Sequence, residues 1–181
     1  MRKSFWVPAV LSVLAFALPV KAQEETAKAE LSAGYDYIRI NDRGTPYNFN
    51  GGSGELTYNA SNWLGIVGDL GGYYTSNGFR AGIFSYLFGP RFNFRGHGLR
   101  GHGRVTPFAQ VLVGGARSID NSPSNAWAMT AGGGVDFRIT EHLSIRPIQA
   151  EYLLTKFMDG ATNRQNSFRY SAGIVFRFGG R

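Results

Sequence analysis

Three histidines are the first place to look for chemistry: His97, His102 and His142. An imidazole works as a general base or a metal ligand, and each use needs partners at a set geometry. A hydrolytic triad needs a nucleophile and an acid beside the base, and none of the three has a serine and a carboxylate so placed. His97 and His102 lie in Gly96-His97-Gly98 and Gly101-His102-Gly103, with no thiol or carboxylate nearby. Two imidazoles alone make a weak metal site. That segment reads as a flexible glycine-rich turn, and no catalytic, cofactor or metal residue is assigned.

The acids and arginines carry more. They fall on alternate residues of segments whose other residues are apolar or aromatic. The last such segment is the clearest. Phe168, Tyr170, Ala172, Ile174, Phe176 and Phe178 form one set, and Arg169, Ser171, Gly173, Val175 and Arg177 the other. A period of two is that of a β-strand with two unlike faces. A lipid face and a polar interior would account for this contrast, because an arginine on the lipid face at mid-depth costs about 2–4 kcal/mol. Applied to the whole chain, the same parity gives an inward set of Glu30, Asp36, Glu55, Asp69, Arg91, Asp136, Arg138, Arg146, Glu151, Arg169 and Arg177.

Eight elements are needed to carry that set. Strands are expected near residues 29–39, 55–60, 63–74, 79–94, 105–117, 126–140, 143–156 and 168–178. The fifth shows weak contrast, with Thr106, Phe108, Gln110 and Leu112 opposite Val105, Ala109, Val111 and Val113. Pro90 in the fourth should break one ladder bond or mark a bulge. In the seventh, Arg146 and Glu151 have opposite parity, and Pro147 between them predicts a bulge that also turns Gln149 inward. Residues 41–54, 75–78, 118–125 and 157–167 have loop chemistry, and so do shorter turns at 61–62 and 141–142. A longer connection is expected at 95–104.

The first 22 residues read as a separate unit. Arg2 and Lys3 precede an apolar run from Phe5 to Val20, and Val20-Lys21-Ala22 fits a small-residue cleavage site. That is the three-part pattern of a secretory signal peptide, and the run bracketed by Pro8 and Pro19 is short for a membrane helix. Removing 1–22 takes the net charge from +7 to +4, since Arg2, Lys3 and Lys21 leave and no acid does. The remaining chain, 23–181, is one domain. It has no basic tract with interleaved aromatics, so nucleic acid is not an expected partner. It has no cysteine, so neither disulfides nor thiol chemistry hold it together. The 14 Phe, 9 Tyr and 25 Gly, with no helical span after the leader, suit interfacial aromatic girdles and close strand approach. The expected fold class is all-β, an eight-stranded up-and-down antiparallel transmembrane β-barrel.

With its leader, eight alternating segments and aromatic final strand, the chain resembles the OmpA-like family of small outer-membrane β-barrels, in the form without a peptidoglycan-binding domain. Tyr170, Ile174, Phe176 and Phe178 resemble that family's C-terminal signal for the barrel assembly machinery. Here Gly179-Gly180-Arg181 follow Phe178, where the family's strand usually ends the chain. The resemblance implies residence in the bacterial outer membrane, lipid and assembly machinery as partners, and no cofactor. It implies a non-enzymatic role in the envelope or in contact with an extracellular partner through the loops. Three other readings stand beside it: a narrow or gated pore, a lipid-modifying enzyme, and a soluble lipocalin-like barrel with the faces inverted. Closing first strand on last would bring Glu30 near Arg177 and Asp36 near Arg169, so the inward charges are expected to form a network that fills the lumen.

Overall fold

The computed structural model describes residues 27–42, 45–75, 81–95, 104–119, 125–157 and 164–179. Eight strands run in chain order: β1 (Ala29–Asp42), β2 (Thr45–Asn59), β3 (Leu64–Thr75), β4 (Ala81–Asn93), β5 (Val105–Ser118), β6 (Asn125–Arg138), β7 (Leu143–Phe157) and β8 (Arg164–Phe178). Each pairs antiparallel with the next, and β8 closes on β1. No edge is left to pair with another chain, which is how a sheet survives in lipid. The leader at 1–22 and the histidine-bearing 96–103 lie outside the described residues.

The outer face is apolar because the apolar members of each alternation point there. Leu31, Tyr35, Leu56, Ile66, Leu70, Tyr86, Phe88, Ile148 and Phe176 are all exposed. On β3 the outward set runs from Leu64 to Tyr74, about 26 Å at ~3.4 Å per residue and a tilt near 40°, the height of a bilayer's apolar band. Aromatics mark both borders. Tyr58, Trp63, Phe94, Phe137 and Phe178 lie at the end that carries the chain termini, and Tyr74, Phe84, Trp127 and Phe168 towards the far end. Phe168 stands edge-on to Tyr152, with ring centroids 5.4 Å apart. Arg39 and Arg117, the exposed outward arginines of β1 and β5, lie near the far end.

The structure corrects two of the expected loops. Most of 41–54 is hairpin: β1 continues to Asp42 and β2 begins at Thr45. Gly51 there serves close packing rather than turning, for a Cβ on it would meet the backbone oxygen of Gly72 at 2.1 Å. Pro46 pairs with Asn41 of β1, in the stretch of β2 before its described pairing with β3 begins at Asn50. Likewise β7 and β8 extend to Phe157 and from Arg164, shortening the expected 157–167 loop to 158–163.

The prolines behave in two ways. Pro90 interrupts the β4–β5 ladder between Phe88↔Val113 and Arg91↔Gln110, yet the register is the same on both sides. Pro147 does mark a bulge: pairing to β8 shifts between Arg146 and Gln149, and pairing to β6 shifts between Val135 and Phe137. The bulge turns Arg146, Gln149 and Glu151 all inward, each buried. At the terminal end, Ser61 closes its turn by donating N–H to Leu64 O and accepting from Leu64 N–H. Thr140 does the same with Leu143.

Candidate functional site in the barrel interior

Every strand sends polar side chains inward, and at mid-height they join into one lattice. Glu55 on β2 is its hub. It is paired with Arg91 of β4. It also accepts from Arg146 Nη1 at 2.6 Å, Gln149 Nε2 at 2.9 Å and Gln110 Nε2 at 3.1 Å. Ser32 Oγ of β1 donates to the same carboxylate at 3.3 Å. Arg91 donates from Nε to Gln110 at 2.8 Å and from Nη1 to Thr57 at 3.1 Å. Arg146 grips Asp136 with two bonds, Nε–Oδ1 at 2.7 Å and Nη2–Oδ2 at 3.0 Å. The Phe108 ring lies under both guanidinium groups, 4.3 Å from that of Arg91 and 4.5 Å from that of Arg146.

Gln110 carries the lattice across the barrel by donating to Glu151 at 2.8 Å. Glu151 is paired with its cross-strand neighbour Arg169. Arg169 Nη1 then donates to Asp69 at 3.1 Å and to the Tyr73 hydroxyl at 3.0 Å. Moving such charges out of water costs several kcal/mol each, and only full mutual satisfaction offsets that cost. A connected network of this kind fixes one arrangement of the lumen.

Beside the lattice and on towards the far end, aliphatic side chains share the interior, with Leu87 directly opposite Asp69 and Ile38 directly opposite Arg169. Val67, Leu87, Leu112, Ala116 and Ala128 form one cluster, and Ile38, Phe49 and Tyr73 a second, with Ile83 and Leu153 packed against both. Below the lattice, at the terminal end, the interior turns polar again. Glu30 accepts from Asn59 at 3.0 Å and from Arg95 at 3.1 Å, and lies 3.7 Å from Arg177. A recess with a volume of about 10 Å³, room for one water, is lined there by Glu30, Asp136, Arg138, Arg177 and their neighbours.

The eleven charged residues expected inside are thus placed as follows. Glu55, Asp69, Arg91, Asp136, Arg146, Glu151 and Arg169 meet in the lattice, and Glu30 and Arg177 meet at the terminal end, directly opposite each other on β1 and β8. The expected Asp36–Arg169 pairing does not form. Asp36 stands opposite Ser171, while Arg169 stands opposite Ile38 and turns to Glu151 and Asp69. Asp36 is fully buried, and neither of its carboxylate oxygens has a partner among the described residues. Arg138 lines the recess and stays outside the lattice. Gln110, Gln149, Thr57, Tyr73 and Arg95 are working members that charge alone does not find. Parity does point to the first two, while Arg95 lies two residues beyond the end of β4, in the segment that reads as a connection, where parity has no say.

Tyr170, Ile174, Phe176 and Phe178 face outward from β8, all exposed. The charges are inside and the aromatics outside, which excludes the inverted, lipocalin-like assignment. His142 is exposed in the turn between β6 and β7. Among the described residues no group of three His, Cys, Asp or Glu is arranged to hold a metal.

The fold has close parallels. Neisserial surface protein A is similar over 86% of this chain and all of its own, at 15% identity and a TM-score of 0.68. Ail, the attachment invasion locus protein of Yersinia pestis, is similar over 84% of this chain and 99% of its own, at 17% identity and a TM-score of 0.57. OprG, an outer membrane protein of Pseudomonas aeruginosa, gives 86% and 97%, at 10% identity and a TM-score of 0.57. No curated protein matches the sequence. The family model for the outer membrane protein beta-barrel domain matches residues 9–178. A closed barrel with an apolar girdle and a charged interior, matched by that model over nearly its whole length, belongs to the outer membrane β-barrel family, and its setting is the bacterial outer membrane.

Proposed function

We propose that this barrel is a non-enzymatic envelope protein that acts through its far-end hairpins, which face the cell exterior, while the chain termini face the periplasm. The observation that carries this reading is the sealed lumen. An eight-stranded barrel is only wide enough for its own side chains. Here a bonded lattice and two apolar clusters fill that space together. Neither a pore nor a buried catalytic centre suits such an interior, and what remains for contact is the rim. There β1 and β2 run past the aromatic border, their outward residues changing from Tyr35 to Arg39 and Asn48. Loops on a rigid scaffold are where recognition is carried.

Ail, similar in fold, has been crystallised with the heparin analogue sucrose octasulfate. That favours a sulfated or otherwise anionic polysaccharide as the first surface to try, and the exposed arginines 39 and 117 suit it. Residues 1–22 serve as the export signal in this reading. Tyr170, Ile174, Phe176 and Phe178 are read by the barrel assembly machinery, and the outward aromatics then settle in outer-membrane lipid.

The test compares cells that display the whole protein with cells whose 40–47 segment is replaced by an Asn-Gly turn. Both proteins should sit in the outer-membrane fraction and change gel mobility on boiling. Adhesion to immobilised heparin should fall at least fivefold in the shortened variant. Equal adhesion would remove the hairpin from the role. A stable single-channel conductance of uniform size in planar bilayers would overturn the sealed lumen itself.

A further inference from the structure

The outward face of the barrel carries the same three residue types in the same order at two places. Arg39 of β1 stands directly opposite Phe168 of β8 on one side and Asn48 of β2 on the other. Arg117 of β5 stands directly opposite Phe84 of β4 and Asn125 of β6. All six side chains are exposed. β1 and β5 lie across the ring of eight strands from each other, so the two sets are on opposite sides of the barrel. The register adds a direction. Paired residues traced from Asp36 through Gly51, Tyr73 and Ile83 lead to Ser118, the last residue of β5, so each row climbs towards the far end in that sense. Within each set the phenyl ring is therefore the deepest, the guanidinium is above it, and the amide is the highest. Neither the two arginine nor the two asparagine side chains are engaged in a hydrogen bond or ion pair among the described residues.

We propose that each set is a seat for a phosphate-bearing lipid of the outer leaflet, in which the acyl chain lies along the ring, the guanidinium holds the phosphate, and the amide meets the hydroxyls of the head group. The order of the side chains is the order of those parts along the membrane normal. A guanidinium offers a planar fork of donors that matches two phosphate oxygens, and arginines near a membrane surface attract anionic head groups. Among the described residues no acid shares the outward face at this end, so the complementary charge has to come from outside the chain. An arginine at the apolar border can also rise into water on its own stem. That asks nothing of its neighbours, whereas here the same two neighbours recur in the same order. The proposal rests on the orientation given above, with the far end outside. It narrows what the two arginines hold: lipid at the border, with a polysaccharide meeting the hairpins beyond it.

The experiment reads the Arg117 seat through Trp127, which stands opposite Gly115 and shares the outward face of β6 with Asn125. Trp6→Phe and Trp63→Phe leave it as the one tryptophan of the full chain, reconstituted in phosphatidylcholine vesicles. Brominated phosphatidylglycerol, which quenches a tryptophan it touches, is added in increasing fraction and compared with brominated phosphatidylcholine of the same tails. The expected result is saturable quenching in which phosphatidylglycerol is at least threefold more effective per lipid. Arg117→Gln should abolish that preference and Asn125→Ala should weaken it, while Arg104→Gln, at the terminal end, should leave it unchanged. Each variant is checked for the boiling-dependent mobility of a folded barrel. If Arg117→Gln does not fold, Arg117→Lys takes its place: it keeps the charge, loses the fork, and should still lower the preference. Equal quenching by the two lipids, a preference that survives loss of the Arg117 fork, or one untouched by Asn125→Ala overturns the proposal. Phosphatidylglycerol is present in both leaflets, so the outcome does not depend on which way the barrel faces, and it is independent of adhesion to heparin.

Discussion

The two halves of the lumen solve one packing problem by opposite means. Around and below mid-height the interior is filled by ions, with Glu55, Glu151, Arg91, Arg146 and Arg169 each held by several partners. Towards the far end aliphatic side chains take a growing share, with Leu112 and Ala128 wholly buried, and Val67, also wholly buried, stands beside the lattice itself. The difference lies in how each half fails. An apolar plug that loses a side chain loses contact area and gains a cavity. A lattice that loses one charge keeps the opposite charges, now buried without a partner, and the penalty falls on what is left behind.

The strongest way to break the comparison is at the hub. Glu55→Leu keeps the volume but strands Arg91 and Arg146, which retain only Gln110, Thr57, Asp136 and Gln149. The expected loss is about 3–5 kcal/mol, as for other buried pairs deprived of one member. It is read from urea unfolding of the barrel in lipid vesicles. A loss below about 1 kcal/mol would mean that the lattice neutralises itself locally and that Glu55 is no hub. Leu112→Ala makes the matching cut in the apolar half. The expected cost there is about 2–4 kcal/mol, set by the removed methyl groups and by how far Val67 and Leu87 relax into the space. Planar-bilayer recordings on both variants should stay silent, because each leaves the other seal in place. Steady conductance from either one alone would show that a single layer does the sealing.

How much of this was legible in the sequence follows from what parity can and cannot encode. Alternation identifies faces, so Glu30, Glu55, Asp69, Arg91 and Glu151 are found inside, and Pro147 betrays the bulge that turns Arg146, Gln149 and Glu151 together. Parity says nothing about which partner a long side chain chooses. Arg169 reaches Glu151 on β7 and Asp69 and Tyr73 on β3 rather than Asp36. Nor does loop composition reveal that Gly51 and Pro46 lie within a strand, where Gly51 serves close backbone approach. The apolar plug did leave a trace, the weak contrast of β5. There Phe108 and Leu112 share the inward face with Gln110, and that blurred alternation records a lumen that is only partly polar.

Asp36 is where the two halves meet badly, and it gives the smallest but most discriminating test. It is fully buried on the inward face of β1, two residues before the apolar Ile38 and across from Ser171, whose hydroxyl also lacks a partner among the described residues. The lattice acids each accept hydrogen bonds, and Asp36 accepts none that the described residues supply. A buried carboxylate without donors is a liability that an amide of the same shape largely removes. Asp36→Asn is therefore expected to raise stability, by about 1 kcal/mol in the same urea measurement. A fall of similar size would reverse the reading. It would mean that a buried water bridges Asp36 to Ser171, and that the ionic filling reaches past the lattice into the apolar half.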